Sequence, residues 1–411
     1  MNKKNSLKRQ WRVKPQAEKT YNFTLFLAIF SIWFVNLFDP LGSFYGMKYI
    51  AILLFFATLS LNLLIGNKLF LNKDFVYFII FFVVYLPSYG SALALFNGGV
   101  SASFDDTSYI ISAIYFLFSL SIFMKRGFEH TITIMMMTLN LLSILIFWIF
   151  IEYSLGLDYL LSWFVGLGIA YISERNYGGI IFPYIYFIIS PMLIFSISYY
   201  TWKFLHAKSF CYLCMILFAV MSLFITGTRM NMLIALVSVI VTALWAKYNR
   251  NSLFLFAIFT VLGVAVLLLI DSNIINSMFN LKDVSNDVKV GYLSNYASIF
   301  NSVSDFIFGQ GFNATAWSTE TRILIAPGTT KTELTYFEFI RVFGIINFGV
   351  FIGFLGYFFI YIKNKDIKYG WITPASILYL LASSLNPYLF SLNGMLLLGV
   401  GIAGVCVSKN N

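Results

Sequence analysis

TITIMMMTLNLLSILIFWIFI, residues 131–151, carries no charged side chain. At 1.5 Å per residue a helix of this length covers about 30 Å, the thickness of a bilayer's hydrocarbon layer. The rest of the chain repeats the pattern. Hydrophobic residues make up 60% of the 411 residues and charged residues only 11%, against roughly 25% charged in an ordinary soluble domain. No soluble core of this length requires so much apolar surface. The aromatic share of 19% suits lipid-facing surface with Tyr and Trp at the headgroups.

Apolar runs of crossing length fall at 22–38, 46–66, 75–96, 108–124, 131–151, 180–200, 209–226, 229–246, 252–270, 336–361, 371–389 and 393–408. The fold class expected is an all-α integral membrane protein of about twelve transmembrane helices, one polytopic domain over 1–411. An even number of spans puts both termini on one side. Residues 1–21 form a basic tail, too long and charged for a signal-peptide n-region. No small-residue cleavage site closes the run after it, so that run is expected to stay as an anchor.

Charge orients the chain. Of the 27 basic residues, all but Lys48, Arg175, Arg229, Lys282, Lys289, Arg322, Lys331 and Arg341 fall in the tail, in alternate short loops or at the C-terminus. The positive-inside rule makes that side the cytoplasm. Of the 17 acids, only Glu18, Asp74, Glu129 and Asp366 share it. The net charge of +10 therefore reports orientation, and no nucleic-acid partner is read from it. Cys211, Cys214 and Cys406 sit in apolar runs, where a disulfide framework would not lie. The C-x-x-C of the first two is expected to serve helix packing.

Two connections on the far side are long. Residues 152–179 mix apolar residues with Glu152, Asp158, Glu174 and Arg175, a pattern expected to include a re-entrant or interfacial helix. The largest, 271–335, lies between the ninth and tenth helices. It holds a short amphipathic stretch near Tyr292 to Phe308 and the turn-rich FGQGFN at 308–313. Loops beyond about 15 residues are uncommon unless functional or disordered, so these two are the expected working parts.

Arginine forks suit phosphate or pyrophosphate at a membrane surface, since guanidinium stays charged and binds bidentately. Arg229 follows a Thr-Gly-Thr turn in FITGTRMNM at the start of a helix, whose free N–H groups also favour an anion. Arg341 stands beside Glu338 on one helical face, so it either binds substrate or bridges that carboxylate. Glu333 and Glu338 flank the start of the tenth span in TELTYFEFIRVFG. Glu338, the deeper, is the stronger candidate base for a hydroxyl; Glu333 suits helix capping. Both histidines, His130 and His206, fall in cytoplasmic loops. Asp105 and Asp106 lack the intervening residue of a DxD motif. No metal or other cofactor is expected.

The architecture resembles that of the Wzy-type O-antigen polymerases, relatives of the O-antigen ligases. The matching features are the twelve-span layout, the ITGTR turn at Arg229, the Arg175 segment leading into Asn-Tyr-Gly-Gly and Pro183, the FGQGFN turn, and the TELTYFEFIRVFG approach to the tenth span. The resemblance implies a membrane-embedded, metal-independent glycosyltransferase of surface-polysaccharide or lipopolysaccharide biosynthesis in the bacterial inner membrane. Its reaction would move a growing glycan from undecaprenyl pyrophosphate to a lipid-linked repeat unit at the periplasmic face. Arg175 and Arg229 would then hold the donor pyrophosphate, with Arg322 and Arg341 as further ligands, and Glu338 or Glu333 would serve the acceptor hydroxyl. The implied partners are the undecaprenyl-pyrophosphate-linked oligosaccharide, membrane lipid and a chain-length regulator protein. The spacing of an arginine followed after ten residues by glycine, found in some such polymerases, is not met by Arg175 or Arg229. A ligase would be expected to carry an external histidine, which this sequence lacks. A lipid-linked oligosaccharide flippase would be expected to carry short external loops and a polar mid-membrane cavity.

Overall fold

The computed structural model describes residues 15–38, 47–64, 73–96, 107–118, 125–177, 180–248, 284–312, 334–362, 367–384, 386 and 388–409. These are mostly helical. Five helical stretches are long and apolar enough to cross a membrane: Lys19–Phe38, Val76–Phe96, Gly127–Ser154, Met230–Lys247 and Thr335–Ile360. Shorter apolar helices occupy Tyr49–Leu64, Phe210–Ile225, Ile372–Ala382 and Leu392–Cys406. Each falls on an expected apolar run. The run at 252–270 lies outside the described residues.

In chain order the helices are α1 (Pro15–Phe38), α2 (Met47–Leu64), α3 (Lys73–Ile79), α4 (Leu86–Phe96), α5 (Thr107–Phe118), α6 (Lys125–Ser154), α7 (Tyr159–Gly166), α8 (Leu193–Ala207), α9 (Phe210–Ile225), α10 (Arg229–Tyr248), α11 (Val284–Phe300), α12 (Val303–Phe308), α13 (Thr335–Gly356), α14 (Ile372–Ala382) and α15 (Leu392–Lys409). A π-helical stretch, Ile80–Tyr85, joins α3 to α4, and another, Tyr357–Ile362, extends α13. The wider turn admits one more residue per hydrogen-bonded ring; Phe81 and Phe82 lie in the first stretch and Phe358 and Phe359 in the second.

The run expected as a span at 180–200 divides. Ala170–Tyr177 and Ile180–Phe187 form an antiparallel hairpin, β1 and β2, with Ala170 opposite Phe187 and Tyr177 opposite Ile180. Only Leu193–Ala207 of that region is α-helical, after a single 3-10 turn at Ser190–Met192. An apolar run does not itself distinguish strand from helix. Here Pro183 has no N–H to give a helix, whereas a two-stranded ribbon leaves a proline on an edge. The all-α description is corrected by this one hairpin.

Phenylalanine builds the interior as well as the apolar exterior. Phe78, fully buried, meets Phe116, Phe354 and Phe358 edge-on with centroids 5.4–5.7 Å apart. Phe339 stacks on Phe351 at 5.1 Å and on Phe390 at 5.6 Å. Such pairs contribute about 0.5–1.5 kcal/mol each beyond the area they bury. They fasten α3, α5, α13 and the turn before α15 into one core. On the outside of α6, Met137, Leu141, Ile144, Trp148 and Ile151 stand exposed at helical spacing. Cys211 and Cys214 are likewise exposed, on α9, so the packing role expected of that pair is not found; Cys406 is buried.

The two ends of the bundle gather different segments. At one, Tyr186 of β2 meets Tyr388 hydroxyl to hydroxyl at 3.3 Å, the Thr335 hydroxyl donates to the Asn386 carbonyl at 2.8 Å, and Ser112 of α5 donates to the Phe390 carbonyl at 2.8 Å. At the other, Lys368 pairs with Glu129 at 2.6 Å, the Tyr369 ring meets Phe128 edge-on at 5.1 Å, and Gly370 lies against the Trp202 indole. The first group joins segments assigned by charge to the far side. The second joins segments of the basic side.

Candidate functional site

The ITGTR turn is built by its small residues. The Thr226 hydroxyl, at the end of α9, donates to the Leu223 carbonyl at 2.7 Å. Gly227 then takes φ +66°, and a Cβ there would lie 2.1 Å from the Cβ of Tyr184. Only glycine permits both the backbone conformation and the close approach to β2. Thr228 caps α10: its Oγ1 accepts the Asn231 N–H at 3.1 Å. Arg229 is consequently the first residue of α10. The Asn231 amide nitrogen donates to Thr226 Oγ1 at 3.1 Å and Ser190 Oγ at 3.4 Å. Asn231, Thr226 and Ser190 are all fully buried, which ties the start of α10 to the strand-to-helix corner before α8.

The hairpin brings the second arginine to this corner. Arg175 stands opposite Phe182, and Ser173, two residues earlier, stands opposite Tyr184, the residue against which Gly227 packs. Arg175 and Arg229, 54 positions apart in sequence, thus stand on two segments that both meet β2, each two residues along the chain from the Ser173–Tyr184–Gly227 contact. The side chains of both lie outside the described set.

A separate polar assembly joins α11, α12 and α13. The Arg341 guanidinium donates to Glu338 through Nε at 3.0 Å and Nη2 at 2.6 Å. The Tyr296 hydroxyl donates to the same carboxylate at 2.9 Å. Arg341 is 0% exposed and Glu338 3%, so the pair is sealed. Three residues on, α13 breaks: Gly344 has φ +81° and ψ 163°. A break removes the acceptors' usual i+4 donors, and in an apolar setting those carbonyls need replacements. The Gln310 N–H donates to the Arg341 carbonyl at 2.7 Å and the Gly311 N–H to the Val342 carbonyl at 3.0 Å. The Phe312 N–H reaches the Gly90 carbonyl at 3.1 Å, and the Tyr89 hydroxyl donates to the Phe308 carbonyl at 2.8 Å. The Phe-Gly-Gln-Gly-Phe turn therefore lies as a wedge between α4 and the broken α13. Added Cβ atoms at Gly309 and Gly344 would sit 2.5 Å from the Val342 oxygen and 2.2 Å from the Ile307 oxygen.

No family model, curated protein or solved structure matches the chain.

Of the residues singled out from sequence, Glu338 and Arg341 come together as an ion pair, while Arg175 and Arg229 lie on two segments that both meet β2. Arg341, read as either an anion ligand or a bridge to Glu338, is the bridge. Its guanidinium is wholly buried, with Nε and Nη2 both donating to the carboxylate. Glu338 accepts three hydrogen bonds, two from Arg341 and one from Tyr296, and is buried. Glu333 and Arg322 lie outside the described residues. Tyr296, Asn231 and Gly344 carry structural weight that sequence reasoning missed. The recurrence of Tyr292, Tyr296 and Phe300 at four-residue spacing was the available signal for the first. For Gly344, one of four glycines in the run 336–361, spacing offered no distinguishing signal. Among the described residues no three His, Cys, Asp or Glu side chains converge as metal ligands would.

Proposed function

We propose that the chain is a surface-polysaccharide polymerase of the bacterial inner membrane, with both termini in the cytoplasm and its working face in the periplasm. It would transfer a growing glycan from undecaprenyl pyrophosphate to the terminal sugar of another lipid-linked repeat unit. The observation that supports this reading most is the convergence of the Arg175 hairpin and the Arg229 turn at one end of the bundle. Two arginines there, with a capped helix N-terminus between buried polar side chains, suit a pyrophosphate leaving group, whose developing charge they would stabilise. In this reading Glu338 and Arg341 anchor the external segment rather than touch substrate. Arg322 as a further anion ligand and Glu333 as the acceptor's base stay part of the proposal from sequence alone.

The test is deletion of the gene in its host, with surface polysaccharide resolved on a gel. Loss of the ladder with a single-repeat band retained is the result expected, because export and attachment of one unit still operate. Loss of every repeat-bearing band would point instead to ligation or flipping. An unchanged ladder would remove the reading altogether.

A further inference from the structure

Helix α7 has one face in the protein and one outside it, and the outward face continues the lipid-facing stripe of α6. The apolar helical stretch Gly127–Ser154 is 28 residues long, about 42 Å at 1.5 Å per residue. That exceeds a hydrocarbon layer of about 30 Å, so its ends reach the headgroup layers. Beyond Ser154 the chain turns sharply, with Gly156 at φ +73°. The Glu152 carboxylate, from the last turn of α6, accepts the Leu160 N–H of α7 at 3.1 Å. This contact fixes α7 to the end of α6, at headgroup depth.

The inner face of α7 is apolar and held. Leu161 and Phe164 are buried, and Phe164 packs edge-on against Phe187 of β2 at 5.3 Å. Trp163, against Phe164 at 4.7 Å, is 48% exposed, Tyr159 is 76% exposed, and Leu155 in the preceding turn is 71% exposed. Between them the Ser162 hydroxyl donates to Asp158 Oδ2 at 3.1 Å. Exposed Trp, Tyr and Leu mixed with a hydroxyl and a carboxylate match the composition of a membrane–water boundary. Aqueous surface would leave this patch an unexplained apolar exposure, extending that of α6.

We infer that α7 and the turn before it are an interfacial anchor, seated with Trp163 and Tyr159 in the phospholipid headgroup and upper acyl region at the hairpin end of the bundle. The anchor would hold the β1–β2 hairpin at a fixed height above the hydrocarbon. Its outward described side chains include no Lys or Arg, so the attraction is apolar and aromatic and does not require anionic lipid or low salt. This inference stands on the geometry of α6 and α7 alone and is independent of the proposed reaction.

The experiment reconstitutes the full chain in phosphatidylcholine vesicles and takes the difference in tryptophan emission between wild type and Trp163→Phe. The Trp163 emission should be blue-shifted and should be quenched more by lipids brominated near the glycerol than by lipids brominated near the chain ends. Aqueous iodide should quench it weakly, and added salt should change neither result. Tyr159→Trp adds a second reporter at the more exposed position, which decides the matter if Trp163 emits weakly. Strong iodide quenching with no effect of brominated lipid would overturn the inference in favour of an aqueous surface. Protection from both quenchers would overturn it in favour of a protein partner, such as a second copy of the chain.

Discussion

Arg229 and Arg341 are the same residue type in opposite circumstances. Arg341 is sealed against Glu338, so its charge is balanced within the fold. Arg229 begins a helix at the hairpin corner, where anion binding and the helix dipole act in the same direction. Replacing Arg229 with Lys keeps the charge but loses the planar fork. The expected result is normal insertion with a roughly ten- to hundredfold loss of glycan elongation, the equivalent of about 1.5–3 kcal/mol for a hydrogen bond to a charged group. Full elongation by that variant would remove Arg229 from the pyrophosphate site. The buried pair behaves differently. Glu338→Gln leaves a buried guanidinium without its counter-charge, a change that destabilises by about 3–5 kcal/mol. Thermal unfolding in detergent should show Glu338→Gln and Arg341→Gln each strongly destabilising, and the double variant no worse than the worse single one. Additive activity losses at undiminished stability would return Glu338 to a role at the substrate. At this scale sequence spacing supplied the two alternatives for Arg341, since i and i+3 share a helical face. Burial, which spacing does not encode, shows the bridge formed and sealed.

Among the elements, the informative one is the broken α13. A glycine with φ +81° ends one half-helix and leaves the Arg341 and Val342 carbonyls to the amides of Gln310 and Gly311. The segment 308–312 is thereby part of the hydrogen-bonding scheme of the helical bundle. Tyr296 is the clasp that connects α11 to it. Tyr296→Phe removes one hydrogen bond to a carboxylate, about 1.5–3 kcal/mol. Amide hydrogen exchange should therefore rise over 291–312 and stay unchanged in α10; uniform exchange across the chain would show that α11 is held by its packing alone. The sequence marked the FGQGFN turn and the approach to the tenth span as separate features, because nothing in their spacing says that the first supplies the backbone donors the second lacks. The hairpin was hidden for a related reason. Its second strand runs into α8 without a charged residue, so an apolar run read by length merges strand and helix.

For the molecule as a whole, composition and hydrophobic runs were enough to give a mostly helical chain with helices of membrane-crossing length. The long-range contacts add that the segments separated by charge also separate in space. The Lys368–Glu129 pair and the Trp202–Gly370 contact lie at one end, with the hairpin, the Thr226–Arg229 turn and the 386–391 turn at the other. Such a division suits the proposed reaction, in which a lipid-linked substrate would reach one face of the protein from the bilayer. The site's backbone geometry was only half legible, since the Arg175 segment and the turn before Arg229 both meet β2 of a ribbon that helical periodicity does not reveal. The most direct measurement is elongation by the purified chain in vesicles supplied with a defined undecaprenyl-pyrophosphate-linked repeat unit. The account predicts lipid-linked products of two or more repeats, with undecaprenyl pyrophosphate released in step. Intact single-repeat lipid after incubation with correctly folded protein would contradict it.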